Sequence, residues 1–179
     1  MIIMFRTLPL SLSGVILGIT LAAADYRVDW KVAVLLLLAV TLLHMYSVSS
    51  KEIQDSRLSG ISLALTIASG LAMLYFSFGT LLLMEPLILI VFGYMIIRAV
   101  RHTDFISRDK GIVYVFALFG LLGVMGSYYV CSHSFGGWPM IFPALSMGFL
   151  SVAAKADDDK TVLRLALNVA GWAAMIAYA

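Results

Sequence analysis

The chain has 179 residues, of which 62% are hydrophobic and only 12% charged, against about 45–50% and 25% in soluble domains. Twelve basic and ten acidic residues, for a net charge of +2, are too few to clothe a soluble surface of this size. An ordinary soluble enzyme and a disordered chain are both excluded, and the charges cluster between long uncharged runs, as in a polytopic membrane protein with short loops.

A helix needs about 20 apolar residues to cross a bilayer. Residues Thr7 to Ala24 carry no Asp, Glu, Lys or Arg, and Val32 to Ser50 are broken only by His44. Leu58 to Met84 is uncharged, followed by Glu85 and then Pro86 to Ile97. That run is too long for one helix, and Ser77-Phe78-Gly79 supplies the turn, giving spans near 60–76 and 81–99. Gly111 to Ala154 holds no full charge, and Cys131 to Pro139, with its Gly-Gly and Pro, divides it into spans near 112–130 and 139–155. Leu165 to Ala179, extendable back to Thr161, is the last. Unpaired backbone is not tolerated in lipid, so these runs are helices or a closed barrel. Continuous apolarity without period-2 alternation excludes the barrel. The expected architecture is all-α: a polytopic membrane helix bundle of about seven transmembrane helices, forming a single helical domain over 1–179.

Alternating the sides of seven spans sorts the basic residues. Arg6, Lys51, Arg57, Arg98, Arg101, Arg108, Lys110, Lys155, Lys160 and Arg164 fall on one side, and only Arg27 and Lys31 on the other. Ten against two is a positive-inside signal that puts the N-terminus in the cytoplasm and the C-terminus outside, across the cell inner membrane. The first span has a second reading. Arg6, an apolar core and Ala22-Ala23-Ala24 resemble a cleavable signal peptide. Gly14-x-x-x-Gly18 instead suits a retained helix packed closely on another. Gly120, Gly123 and Gly126, on one stripe of the fifth span, are expected to serve close packing too. Cys131 is alone and cannot form an internal disulfide; it reads as a small apolar filler.

Two cytoplasmic segments are rich in acid. Glu52 and Asp55 are three residues apart and share a face on a continued helix. Asp157, Asp158 and Asp159 are consecutive and repel one another unless a cation intervenes. Mg²⁺ takes oxygen ligands, commonly one or two carboxylates plus substrate phosphates. Each cluster also has a plain reading: a solvated helix end balanced by Lys51 and Arg57, and an acidic helix start. Both lie on the same predicted side, where a Mg²⁺-diphosphate site would need them. Arg98, Arg101, His102, Arg108 and Lys110 form the most basic loop; the positive-inside anchor accounts for it, with diphosphate contact by Arg108 as the other reading. His44 lies within a span, which makes it a functional candidate or a neutral imidazole bonded to a neighbouring helix. Glu85 before Pro86 marks a helix start.

Several strings resemble a known family. Residues 6–14 (RTLPLSLSG) and 22–29 (AAADYRVD) are similar to the first helix of the 1,4-dihydroxy-2-naphthoate polyprenyltransferases of menaquinone synthesis, in the UbiA superfamily. VFALFGLLGVMGSYYV (115–130) resembles that family's fifth helix, PALSMGFLSVA (143–153) the helix leading to its second motif, and VAGWAAMIAY (169–178) its seventh. The resemblance implies a bundle of about nine membrane helices and Mg²⁺ held by aspartate-rich cytoplasmic motifs. It implies polyprenyl diphosphate as donor and an aromatic acceptor as the partner substrate. Diphosphate departs, an allylic cation develops, and the acceptor is prenylated. It assigns Glu52, Asp55, Asp157, Asp158 and Asp159 as metal ligands and Arg108 as a substrate contact. The lipid bilayer is the remaining partner; no nucleic acid is implied, and a homo-oligomer stays open.

The chain departs from the family at its motifs. The first, N-x-x-N-[D/E]-x-x-D, falls on residues 48–55: both acids match, but Val48 and Lys51 replace the asparagines. The tyrosine- and glycine-rich motif before the fifth helix retains only Arg108 and Gly111. The second metal motif, N-x-x-R-D-x-x-x-D, is reduced to the aspartate run. Three readings follow: a prenyltransferase, a catalytically inactive shortened relative that keeps only the bundle, and a small transporter-like protein suggested by span count and His44.

Overall fold

The protein, described by a computed structural model over residues 2–49, 56–81, 83–102, 115–155 and 161–179, is helical throughout these residues, with no strand among them. Seven helices follow in order among the described residues: α1 (Ile2–Asp25), α2 (Trp30–Val48), α3 (Ser56–Phe78), α4 (Met84–His102), α5 (Phe116–Ser132), α6 (Ile141–Lys155) and α7 (Thr161–Tyr178). Each overlaps one of the seven expected apolar segments, and charged residues such as Arg6, Asp25, Lys31, Arg57, Glu85 and Arg98 stand toward helix ends. The expected turn falls where the sequence placed it. α3 ends at Phe78, and Gly79 follows with φ +72°, a left-handed conformation that glycine adopts without penalty.

Among the described residues, three helices are long and apolar enough to cross a membrane: Trp30–Ser47, Arg57–Phe78 and Thr161–Tyr178. Shorter apolar helices cover Leu12–Asp25, Met84–Ile97, Phe116–Ser132 and Trp138–Ala154. The chain forms two compact units. One comprises Met1–Leu12 and Val28–Asp104, the other Ser13–Arg27 and Phe105–Ala179.

In the first unit α3 packs on α2. Asp29 caps α2, its carboxylate accepting from the Lys31 backbone N–H at 2.9 Å. The Lys31 ammonium lies over the Phe76 ring, 5.8 Å from its centre, so the start of α2 meets the end of α3 and the pair is antiparallel. Ser62, Thr66, Ser69 and Met73 form the buried stripe of α3, at the four- and three-residue spacing of one helical face. Its hydroxyls do not wait for a partner helix. Ser62 donates to the Ser59 carbonyl, Thr66 to Ser62 and Ser69 to Thr66. Small side chains on such a face let two backbones approach, the main source of helix association where lipid removes the hydrophobic drive. Ile61, Leu65, Ile67 and Tyr75 on α3 are exposed, as are Ile88, Val91, Tyr94 and Met95 on α4. Large apolar side chains therefore stand exposed along both helices.

In the second unit α5 is the centre. Its stretch Phe116–Gly126 is π-helical and continues as an α-helix over Ser127–Ser132. The residues of α1 from Ser13 onward lie along it. Gly14 meets the Phe119 carbonyl and Gly123, and Gly18 meets the Val124 carbonyl and the Ser127 hydroxyl, so closely that a Cβ on either glycine has no room. Numbers rise together along the two helices, so α1 and α5 are parallel. On its other side α5 meets α6: Gly120 against Ala144 and Gly148, and Phe116 against Phe149 with ring centres 5.2 Å apart. Here numbers run oppositely, so α5 and α6 are antiparallel. α7 packs on α6, with Gly171 against Leu150 and the Ser146 carbonyl. Val162, Leu165, Trp172 and Ile176 of α7 are exposed.

Candidate functional site

Every acid assigned to the metal lies outside the described residues. Glu52 and Asp55 fall in sequence between α2 and α3, Asp157, Asp158 and Asp159 between α6 and α7, and Arg108 between α4 and α5. Among the described residues no group of three His, Cys, Asp or Glu side chains is placed to hold a metal ion. The donor set itself suits Mg²⁺, since all five candidate ligands are carboxylates and a hard cation takes oxygen. Lys51 within the first cluster opposes it, by adding positive charge beside the ligands.

The remaining polar candidates are described. His44 lies half-buried in the C-terminal half of α2. Glu85 stands in the first turn of α4 beside the buried Pro86, where a negative charge meets the positive end of the helix dipole. Cys131 is buried and free, as a filler should be. Gly14 and Gly18 act as the packing reading requires, and buried Ala22 lies within the same helix. The glycines of α5 differ from expectation. Gly120 faces α6 and Gly123 faces α1, while nothing stands within 4 Å of a Cβ on Gly126. A π-helix takes more residues per turn than an α-helix, so three-residue spacing no longer keeps one face.

The best-built polar cluster joins residues 103 apart in sequence. The Tyr128 hydroxyl donates to Asp25 Oδ2 at 2.8 Å, and Tyr26 meets the Tyr128 ring edge-on with centres 6.3 Å apart. Tyr128 is only 1% exposed, whereas Asp25 is exposed. The bond satisfies a phenol that burial would otherwise orphan, and leaves one carboxylate oxygen free of it. No nucleophile with an adjacent base is formed there, and the cluster ties the end of α1 to α5. The pairing carries no sequence signal, since nothing in either string marks its partner. Two further hydroxyls, Ser146 and Ser151 of α6, are buried without a hydrogen bond. Comparison with family models, curated proteins and solved structures finds no match to this chain.

Proposed function

We propose that the chain is a multi-pass protein of the cell inner membrane, with its N-terminus cytoplasmic and its C-terminus outside, and a prenyltransferase of the UbiA type. It transfers a polyprenyl chain from polyprenyl diphosphate to 1,4-dihydroxy-2-naphthoate. The observation that carries the reading is the pair of acidic clusters, Glu52 with Asp55 and Asp157 to Asp159, on one side of a bundle whose helix strings resemble that family. Ten of twelve basic residues mark the same side. Helix order agrees: α1 and α5 run parallel, which alternation requires when three spans separate them. The exposed apolar faces of α3, α4 and α7 suit contact with hydrocarbon.

Glu52, Asp55, Asp157, Asp158 and Asp159 would hold Mg²⁺, and Arg108 would contact the diphosphate. Bound Mg²⁺ neutralises charge on a departing diphosphate. The apolar helices exclude the water that would quench an allylic cation.

The test is reconstituted protein supplied with 1,4-dihydroxy-2-naphthoate, a polyprenyl diphosphate and Mg²⁺. Mg²⁺-dependent prenylated product is expected, and its absence removes the transferase. Asp55→Ala should abolish product; an unchanged rate takes Asp55 out of the metal site. A second reading, the same bundle without catalysis, is favoured by Val48 and Lys51 in place of the motif's asparagines. It requires no product and no Mg²⁺-dependent binding of polyprenyl diphosphate.

A further inference from the structure

The loop between α5 and α6 is built more tightly than a connection requires. The Ser132 hydroxyl donates to the Tyr128 carbonyl at 2.7 Å and accepts from the Ser134 N–H at 3.2 Å. The Gly136 N–H donates to Ser134 Oγ at 3.2 Å. Gly136 has φ +70° and lies against the Tyr128 ring and Met140, leaving no space for a Cβ. Trp138, Pro139 and Met140 then make a single 3₁₀ turn, with Met140 buried. The backbone is therefore folded down onto the end of α5.

Two of its rings nevertheless stand outward. Phe135 is 64% exposed and Trp138 81%. Phe135 is not loose, because it stacks on Tyr129 with ring centres 4.4 Å apart and planes 21° from parallel. Facing water, such rings forgo the free energy that covering their apolar area would release. From Gly111 to Ala154 the chain has no Asp, Glu, Lys or Arg, so His133 is the one ionisable side chain the loop could offer a soluble partner besides the buried Cys131 at its edge. The helices on either side are apolar, Phe116–Ser132 before it and Trp138–Ala154 including its own tryptophan. In the topology proposed above, the loop closes the outer end of both helices, where a bilayer surface would meet it. A tryptophan, with an apolar ring and one N–H, is the side chain that favours the headgroup boundary.

We propose that residues 132–140 form a preformed anchor that seats Phe135 and Trp138 in the headgroup interface of the outer leaflet. The inference rests on the membrane topology proposed above and is independent of the transferase activity. It explains why a short connection carries a positive-φ glycine locked on a buried tyrosine: the rings are presented without ordering cost on contact with lipid.

Tryptophan fluorescence tests it, since the chain has three tryptophans. The full chain carrying Trp30→Phe and Trp172→Phe retains Trp138 alone. It is reconstituted in phosphatidylcholine vesicles whose acyl chains are brominated at graded depths. Emission shifted to the blue of a tryptophan amide in buffer is expected, with quenching strongest for bromines nearest the headgroup. Quenching by aqueous iodide and by no bromolipid overturns the anchor, and so does quenching strongest at the chain ends. A companion chain with Trp30→Phe and Trp138→Phe reports α7 through Trp172. Trp172 quenched by bromolipid with Trp138 unquenched refutes the anchor alone; neither quenched refutes the membrane reading with it. Gly136→Ala should cost Trp138 most of its bromolipid quenching while leaving Trp172 unchanged, and an unaltered Trp138 profile refutes preforming by the loop.

Discussion

Gly18→Ala adds one methyl where α1 crosses α5, and its cost follows from what the methyl meets. The neighbours are the Val124 carbonyl, whose carbon would stand 3.1 Å away, and the Ser127 hydroxyl. The carbonyl is backbone, fixed within α5, and cannot rotate aside. The carbonyl oxygen would stand closer still than its carbon, well inside the roughly 3.3 Å of a close C–H···O approach, so α1 must retreat along the crossing. Overpacking of that kind costs about 1–3 kcal/mol, and the better helix propensity of alanine returns about 1 kcal/mol. Gly70→Ala on α3 is the matched control, since nothing stands within 4 Å of a Cβ there; it should stabilise by about 0.5–1 kcal/mol. The two variants should therefore differ by about 2 kcal/mol, roughly thirtyfold in the unfolding equilibrium. Unfolding in mixed micelles, followed by circular dichroism as the denaturing detergent fraction rises, measures the difference. A Gly18→Ala variant as stable as Gly70→Ala refutes the close parallel packing of α1 on α5.

Three further outcomes follow from the same unit and from the charge pattern. Tyr128→Phe removes the bond to Asp25 and should cost about 1 kcal/mol, below the usual figure for a charged acceptor because water re-solvates the exposed carboxylate. Its effect should be non-additive with Asp25→Ala in a double-mutant cycle, and strict additivity argues against the bond. Gly120→Ala should destabilise more than Gly148→Ala. The first methyl meets backbone of Ala144 and Gly148, whereas the second meets the Phe116 ring, which can turn; equal losses in the same micelle assay contradict this ranking. For topology, single cysteines are placed in a Cys131→Ser background. Arg27→Cys should react with an impermeant maleimide in intact cells, and Arg101→Cys only after permeabilisation; the opposite pattern inverts the orientation.

The helix positions were legible because one physical quantity governs them. The charges are sparse and gather near helix ends, as at Asp25, Glu85 and Lys155, and the long apolar stretches away from them are helical. Gly79 was legible for the same local reason, a turn after an overlong run. Gly14 and Gly18 announced close packing, but nothing in their spacing named α5 as the partner. The tie between Asp25 and Tyr128 was invisible because it is made by the fold and by no local string. The π-helical stretch was invisible too, and it misled: Gly120 and Gly123 looked like one stripe under α-helical spacing and face two different helices. For the candidate metal site, the sequence supplied residue types at Glu52, Asp55 and Asp157 to Asp159, and these lie outside the described residues.

The parallel pairing of α1 with α5 has a consequence for synthesis. Asp25 emerges 103 residues before Tyr128. At about 5–20 residues per second, the notched face of α1 waits on the order of 5–20 s for its partner. Throughout that interval Gly14 and Gly18 present bare backbone to whatever helix passes, so the ribosome's pace sets a window for mispairing. A slower stretch of codons after α1 would lengthen that exposure without changing one residue of the finished protein.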